Sequence, residues 1–393
     1  MRYAFPEITH LEPVRQVIEG ADGFVIVRQP DYTVVCYVYA SPEVFPDISG
    51  PADALRRECR GLIFAPDGRL ISRPFHKFFN VGERAETQPQ LLDLSAPHVI
   101  LEKLDGSMVR PVPLADGYRL GTKMGVTDVA RQAEAFVTRR PEYDRFIRSE
   151  IAQGRTPIFE WCSRSQRIVL EYPEDRLVLL AVRENRSGRY LSLDEMALLV
   201  DAAEFRGVEL VRTFQGTVSS LQSLIADTRA ESGGEGWVIR FGDGHMLKMK
   251  SDWYVTRHRA LAGLGLEKAV IAVLAANSGD DVKALLPPEP RARFEAFETL
   301  FYREFGSEVE RLKALYADAR ARFGDNRKDF ALGEAPTLNP HVRALMFQAW
   351  DGRDLANELL ALVAKHCGSS TKIDAIRWAW GGHRWNFDFD ADA

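Results

Sequence analysis

The hydrophobic pattern of the chain changes near residue 256, and this change limits the folds that the chain can adopt. Up to about residue 255, short runs of β-branched and aromatic residues are bounded by Gly, Pro and Asp, a pattern that predicts β-strands. The predicted strands are residues 24–28, 34–40, 60–65, 98–103, 118–123, 156–162, 177–184, 235–241 and 245–250. The predicted helices among them are residues 128–152, 194–205 and 217–231.

From residue 256 onwards the sequence has helical periodicity and few strand signals. The proline-containing segment 285–290 separates two of the predicted helices. We therefore predict an α+β fold with two domains. Residues 1–255 form antiparallel sheets with flanking helices, and residues 256–393 form an all-α domain. The tail from residue 381 is expected to be mobile.

The composition excludes several classes of protein. Hydrophobic residues make up 46% and charged residues 27% of the 393 residues, as is ordinary for a globular protein. No apolar run is long enough to cross a bilayer, and the first residues lack a signal-peptide pattern. The four cysteines are scattered, so we expect neither a zinc cluster nor a disulfide framework, and a reducing cytoplasm fits. The net charge of −5 argues against indiscriminate coating of nucleic acid.

One lysine stands in an unusual place in the segment VILEKLDGSMVRPV, residues 99–112. Lys103 follows a strand-like apolar run and precedes Asp105-Gly106-Ser107, the predicted turn into the next strand. A lysine amine is a nucleophile when a partly apolar or cation-rich site lowers its pKa. Asp105 is then placed to orient a metal, sugar or phosphate ligand, and Gly106 permits close approach. The pattern also fits a strand-end lysine that reaches solvent.

Two glutamates stand where a carboxylate needs an explanation. Glu160 lies between Phe159 and Trp161 in a predicted strand, and a buried carboxylate is costly without a cation or a metal. Glu235 stands beside glycines at the start of another strand, where a ligand can approach. The alternative for Glu160 is an outward-facing side chain on a half-exposed strand.

Basic residues form two further clusters. Lys248 and Lys250 alternate with Met249, so both ammonium groups point to one face of a strand, where a polyphosphate would offset their repulsion. The alternative is a solvated basic edge that discourages aggregation. In the segment 56–80, Arg60 precedes a strand and Lys77 is followed by two phenylalanines, a combination that suits a nucleotide because aromatic rings stack on bases and cations meet phosphates. A surface lysine beside core phenylalanines fits that segment equally well.

Taken together and in this order, the segments KLDGS, FEWCSRSQRIVLEY, LVLLAVREN, EGWVIRF and LKMKSDWY resemble the motif series of covalent nucleotidyltransferases. Further matches are CYVYAS, ECRGLIF, RPFHKFFN and GDDVKAL. With these, the chain most resembles the phage-type ATP-dependent RNA ligases of the RNA ligase 1 family, which repair broken tRNA anticodon loops. The resemblance implies an adenylyltransferase domain followed by a helical domain that contributes to RNA preference.

The resemblance also implies a role for each matching residue. Lys103 would become covalently adenylylated, with Lys248, Lys250 and Glu235 as its catalytic partners. The ATP pocket and phosphate path would be lined by Tyr37, Arg60, Lys77, Phe79 and Lys123, together with Asp105. Glu160, Glu235 and the lysine pair would hold the ribose, the metal waters and the α-phosphate, while Gly106 and Gly236 would allow close approach. Glu160, Asp280 and Asp281 would help to hold Mg²⁺ or Mn²⁺.

The expected reaction joins a 5′-phosphate and a 3′-hydroxyl of RNA through lysine–AMP and RNA-adenylate intermediates. No Gly-x-x-x-x-Gly-Lys-Ser/Thr phosphate loop occurs, so a separate polynucleotide kinase or phosphatase is the expected source of such ends. The protein is expected to be a monomer without membrane partners. The alternatives are a nick-sealing RNA or DNA ligase, a capping enzyme and a non-catalytic RNA-binding relative.

Overall fold

The computed structural model describes residues 3–164, 169–215 and 220–387. The chain divides into two compact units, Met1–Val255 and Thr256–Ala393. The first unit combines sheets with flanking helices. All elements of secondary structure described after Val255 are helices. The predicted α+β fold with a helical C-terminal part is therefore confirmed.

The first unit contains all of the described strands. They are β1 (Phe24–Arg28), β2 (Thr33–Tyr37), β3 (Arg60–Phe64), β4 (Leu70–Ser72), β5 (Phe79–Asn80), β6 (His98–Glu102), β7 (Ser107–Leu114), β8 (Gly117–Gly121), β9 (Arg155–Cys162), β10 (Arg176–Glu184), β11 (Glu209–Leu210), β12 (Gly236–Phe241) and β13 (Met246–Lys250).

These strands form three sheets. Sheet A has the order β1-β2-β3-β4, sheet B the order β11-β10-β9-β7-β8, and sheet C the order β5-β13-β12-β6. Neighbouring strands are antiparallel, except that the two-residue strands β5 and β11 pair in parallel with β13 and β10. Strands β6 and β7 follow each other in sequence but belong to different sheets. The four residues between them therefore carry the chain from sheet C to sheet B.

The helices of the first unit cover the sheets on their outer faces. They are α1 (Leu11–Ile18), α2 (Pro51–Glu58), α3 (Asp128–Thr138), α4 (Pro141–Ala152), α5 (Leu193–Asp201) and α6 (Leu221–Ala230). The segment 128–152, predicted to be helical, contains two helices, because Pro141 lacks an amide hydrogen and starts a new one. The predicted helix 217–231 begins at Leu221, and its residues 217–219 lie outside the described part.

Helix α7 (Asp252–Leu264) begins directly after β13 and continues into the second unit. The second unit then consists of α8 (Glu267–Ala275), α9 (Gly279–Lys283), α10 (Pro288–Phe323), α11 (Arg327–Gly333), α12 (Pro340–Trp350), α13 (Leu355–His366) and α14 (Ser370–Ile376). No helix in the described part of the chain is long and apolar enough to span a membrane.

The start of the C-terminal tail is packed, contrary to the expectation of mobility. Trp385 is 8% exposed, and its ring lies 5.2 Å from the ring of Phe297. Its backbone amide donates to Glu267 at 2.9 Å. Aromatic burial thus fixes the tail at least as far as Phe387, which stacks on Trp385.

Candidate active site

Lys103 lies where the chain crosses from sheet C to sheet B. Its backbone amide donates to the carbonyl of Gly236 at 2.9 Å, which extends the β6–β12 ladder by one residue. At Gly106 a Cβ atom would lie 2.4 Å from the carbonyl oxygen of Trp161. The crossing segment therefore packs against β9 only with glycine at this position. The close approach that Gly106 permits is to the backbone of β9 and not to a ligand.

One carboxylate joins two of the predicted lysines. Glu235 is 3% exposed, and its Oε1 lies 2.7 Å from Nζ of Lys103 and 2.9 Å from Nζ of Lys250. The strand register explains this meeting, because Gly236 of β12 pairs with Lys250 of β13 on one side and adjoins Lys103 on the other. A buried carboxylate between two amines fixes the position of both.

The remaining cations crowd the same region and perturb each other. Burial, together with Lys77, Lys103 and Lys250, lowers the pKa of Lys248 to about 7. Burial and the nearby arginines lower the pKa of Lys77 to about 8. Glu83 raises this pKa but offsets only part of their effect. Arg60 contributes to both shifts. These lysines suppress one another's protonation because their positive charges lie close together. A bound polyanion such as a triphosphate would offset their repulsion.

The aromatic ring of Tyr37 lies near two of the predicted site lysines, Lys77 and Lys123. Nζ of Lys123 lies 4.2 Å, and Nζ of Lys77 5.5 Å, from the centroid of the Tyr37 ring. Phe79, by contrast, is 2% exposed and has the cationic groups of Lys77, Arg57 and Arg84 within 4.7 Å of its ring centroid. Phe79 does not line the nucleotide cavity described below, and its role at ATP stays a prediction. Its ring supports these cations and is not free to stack on a base.

A cavity of about 250 Å³ adjoins Lys103, and we call it the nucleotide cavity. Sheet C contributes Leu101, Val238 and Met246, and sheet B contributes Met108, Glu160 and Leu180. Arg60 and Phe78 complete the part nearest the cations. Apolar walls with a cationic end suit a purine nucleoside that carries phosphates.

Glu160 of β9 lines this cavity among other acids. Burial, with a smaller contribution from Glu235, raises the pKa of Glu160 to about 8, although Lys103 opposes the shift. A carboxyl group in this condition gains from a cation or from donation to a ribose oxygen. Both uses agree with the role that the family resemblance implies.

Asp105 has a different environment from the one predicted. Its Oδ2 accepts from the amides of Val169 and Leu170 at 2.7 and 2.6 Å, and its Oδ1 accepts from the hydroxyl of Tyr254 at 2.7 Å. The side chain is 3% exposed. The prediction that Asp105 contacts a ligand is therefore corrected, because its carboxylate is already satisfied by the protein and anchors the segment that carries Lys103.

The acidic pair predicted to bind a metal lies in the second unit. Asp280 and Asp281 are exposed on α9, and Asp280 pairs with Lys283 at 2.8 Å. Within the described residues, no group of three or more His, Cys, Asp and Glu side chains could hold a metal ion. Their metal role stays a prediction.

A hydrated divalent cation nevertheless fits beside Glu160. Mg²⁺ retains several waters and is commonly bound by one or two carboxylates together with substrate phosphates, so it does not require a protein cage. The chemistry of the donors therefore fits ATP with a divalent cation.

Sequence reasoning missed Val238, which lines the nucleotide cavity, and Tyr254, which donates to Asp105. It noted Phe78 as one of the two phenylalanines after Lys77 but did not assign it to the site. The sequence nevertheless contains a signal for the whole site, namely which basic positions of the first unit are lysine and which are arginine. The first unit has only five lysines, and they are Lys77, Lys103, Lys123, Lys248 and Lys250. All other basic positions of this unit apart from histidines are arginines. Lysine is thus confined to the candidate site.

Comparison with known proteins identifies relatives. The family described as RNA ligase matches residues 58–254. A protein of Thermovibrio ammonificans assigned as an RNA ligase is 31% identical over 327 residues, covering 80% of this chain and 82% of that protein. RNA ligase 1 of bacteriophage TS2126 is 27% identical over 269 residues, covering 62% and 61%.

Solved structures give weaker matches. An archaeal ATP-dependent RNA ligase has a TM-score of 0.44 at 17% identity and covers 64% of each chain. A Naegleria gruberi RNA ligase mutant with ATP and Mn has a TM-score of 0.35 at 18% identity, covering 42% of this chain and 52% of that one. These matches span less than two thirds of the solved chains, and the assignment rests on the sequence relatives alone. The chain belongs to the phage-type RNA ligase family, as its motif series predicts.

Proposed function

We propose that this protein is an ATP-dependent RNA ligase that uses Lys103 as its nucleophile. The observation that carries the proposal is the contact of Glu235 with both Lys103 and Lys250, beside a cavity of nucleotide character. A member of the family that had become only an RNA-binding protein would have no need of this arrangement. Incubation with α-labelled ATP tests the proposal, since an enzyme acquires covalent label and a binding protein does not.

The first step forms lysine–AMP. The neutral Lys103 amine attacks the α-phosphorus of ATP, a P–N bond forms, and the bond to the bridging oxygen breaks as pyrophosphate leaves with the electron pair. As the P–N bond forms, the nitrogen loses one proton to solvent. Glu235 holds Nζ of Lys103 in place, and Lys248, Lys250 and Arg60 offset the charge of the phosphates. A bound divalent cation would supply further charge neutralisation, with Glu160 as its carboxylate.

The next two steps move AMP and then release it. An oxygen of an RNA 5′-phosphate attacks the phosphorus of lysine–AMP, the P–N bond breaks, and Lys103 takes up a proton. A 3′-hydroxyl of RNA then attacks the activated 5′-phosphate, loses its proton and displaces AMP. The product is a 3′–5′ phosphodiester, and the protein's main contribution is positioning and charge.

Lys248 and Lys77 give a prediction about pH. Their pKa values of about 7 and 8 leave both amines partly deprotonated at pH 8. Bound phosphates favour the charged amines, so ATP binding should take up protons, and affinity should fall as pH rises through this range. Calorimetry at pH 8 in two buffers of different ionisation enthalpy measures the uptake, with Lys103→Ala protein to prevent turnover.

Lys248→Met should remove much of this proton uptake and weaken ATP binding, whereas Lys365→Met should change neither, because Lys365 is exposed in the second unit. Loss of a donor aimed at developing charge should also slow adenylylation about 100-fold or more. Binding without proton uptake in the Lys103→Ala protein would contradict the assignment of Lys248 and Lys77 to the phosphates.

We also propose that the second unit selects the RNA. Each strong match to the nucleotide site lies in the first unit, so a chain that ends at Leu264, after α7, should still form lysine–AMP. It should lose preference for a broken tRNA over a generic single strand. Circular dichroism confirms folding, and a folded truncation with unchanged preference would refute the division of labour.

The natural substrate is proposed to be a break in single-stranded RNA, such as a cleaved tRNA anticodon loop. A ligation panel of one broken tRNA, one nicked duplex and one linear single strand, each as RNA and as DNA, tests this. Sealing only of the nicked duplex would favour the nick-sealing alternative. We further propose a monomer in the cytoplasm, where the thiols of all four cysteines stay free, supplied with ends by a separate kinase or phosphatase.

A further inference from the structure

A second cavity in the first unit is larger than the nucleotide cavity, at about 410 Å³. We call it the Arg57 cavity. Of its lining residues only Phe78 and Met246 also line the nucleotide cavity, so the two spaces are neighbours that share a wall. Its volume lies in the range of small-ligand sites, roughly 300–1,000 Å³. The reaction proposed above uses none of its other residues except Lys77.

The lining combines an apolar surface with polar groups. Leu92, Phe241 and Leu247 form part of the apolar surface, and Leu91 also lines the cavity while 64% exposed. A mostly apolar lining with a few polar groups is typical of small-ligand sites. Flat aromatic bases of RNA bind to surfaces of this kind.

Two buried donors in the cavity lack partners. Arg57 is 2% exposed, and its Nη2 donates to Pro46 and Glu86 at 2.8 and 2.9 Å. Its Nε, like the hydroxyl of Tyr3, has no hydrogen-bond partner among the described residues.

His76 adds a neutral group to the same lining. Burial and the nearby Arg183 hold its pKa well below the usual value, and its Nδ1 lies 2.9 Å from the hydroxyl of Tyr190. With Nδ1 bonded to Tyr190, the neutral ring has one remaining hydrogen-bonding atom, Nε2, which suits a polar but uncharged group of a ligand. The lining therefore favours a nucleoside over a purely anionic or purely apolar ligand.

Lys77 links the Arg57 cavity to the reaction. It lines this cavity, its ammonium lies 5.5 Å from the ring of Tyr37, and its charge contributes to the low pKa of Lys248. A phosphate on a nucleoside in the cavity would meet Lys77 beside the other site lysines. Of the two RNA ends, the 5′ end carries that phosphate.

We propose that the Arg57 cavity binds the 5′-terminal nucleoside of the RNA strand whose 5′-phosphate receives AMP. This inference rests on the proposed function and names the substrate end that the additional cavity serves. Arg57 and Tyr3 lie against the nucleoside, Leu91 covers it, and Lys77 receives its phosphate.

Replacing Leu91 by aspartate tests the inference, since it places charge against the base at an exposed position that does not support the core. The matched control is Leu198→Asp, because Leu198 is 76% exposed in the same unit and lines neither cavity. We expect Leu91→Asp to leave lysine–AMP formation and the KM for ATP unchanged. The KM for 5′-phosphorylated RNA in AMP transfer should rise roughly tenfold or more, in keeping with loss of a base contact. Leu198→Asp should match the wild type.

A cross-linking experiment distinguishes the two RNA ends. Two strands carry 4-thiouridine, one at the 5′-terminal and one at the 3′-terminal position, and mass spectrometry locates the adduct after irradiation with the wild-type protein. We expect the 5′ probe to modify residues of the Arg57 cavity. Modification there by the 3′ probe alone, or by neither, overturns the inference, as does an unchanged KM in Leu91→Asp. Absence of lysine–AMP in the wild type would instead refute the proposed function.

Discussion

Replacement of Lys103 by alanine is expected to abolish covalent labelling by α-labelled ATP, because among the described residues no other amine both contacts Glu235 and lines the nucleotide cavity. Peptide mapping of the wild type should place the label on Lys103, in a linkage that acid cleaves and base does not. Lys365→Ala should label normally, since that lysine is exposed in the second unit. Label on any other lysine would defeat the assignment.

The same variant separates the steps of the reaction. Sealing of an RNA that already carries a 5′-adenylate requires no lysine–AMP, so Lys103→Ala should still join such a strand to a 3′-hydroxyl. This retained activity would show that the variant is folded and binds RNA. Loss of all three steps together would mean that Lys103 supports the structure of the site and is not specifically its nucleophile.

Glu58 gives the second large prediction, on stability. It is 1% exposed at the end of α2, and its carboxylate accepts from Arg73 at 3.0 Å and from Arg183 at 2.8 and 2.9 Å. Glu58→Ala would leave two buried guanidinium groups without their acid. Removal of one partner from a buried ion pair costs about 3–5 kcal/mol. Urea unfolding of the full chain measures this loss.

Glu7→Ala is the control, because Glu7 also pairs with an arginine, Arg186 at 3.2 Å, but both side chains are largely exposed. That change should cost at most about 1 kcal/mol. Burial would raise the pKa of Glu58, but Arg183 and Arg73 hold it below its usual value. The stabilisation is therefore present at neutral pH and is lost as pH falls and the carboxylate gains a proton. Equal costs for the two variants would contradict this account.

Local pattern was sufficient to find some of the site. Lys103 stands out because an apolar strand precedes it and a turn follows, and Lys248 and Lys250 share a face because strands alternate. The two-residue period does not reveal which face meets the cavity, so of the two phenylalanines noted after Lys77 only Phe79 was assigned to the pocket. The longer strands were recognised, but the short strands β4, β5 and β11 were missed. That β6 and β7 enter different sheets was also not foreseen, since it depends on which strands pair.

Contacts between distant segments were beyond the sequence alone. Asp105 was assigned to a ligand because its partners lie 64, 65 and 149 residues away in the chain. Glu58 and Arg183 are separated by 125 residues, and neither was singled out although both stand in segments that matched the family. A carboxylate's role depends on which donors the fold brings to it, and only the structure supplies them.

The restriction of lysine in the first unit to the candidate site has a practical consequence. Acylating reagents that distinguish primary amines from guanidinium groups will find side-chain targets in this unit only around the nucleotide and Arg57 cavities. Brief treatment with an N-hydroxysuccinimide ester should therefore acylate, among the side chains of this unit, only the lysines of the candidate site. The reagent needs no affinity for the protein to reach this selectivity. The depressed pKa values of Lys248 and Lys77 make those two amines reactive at mild pH, and occupancy by ATP should shield them.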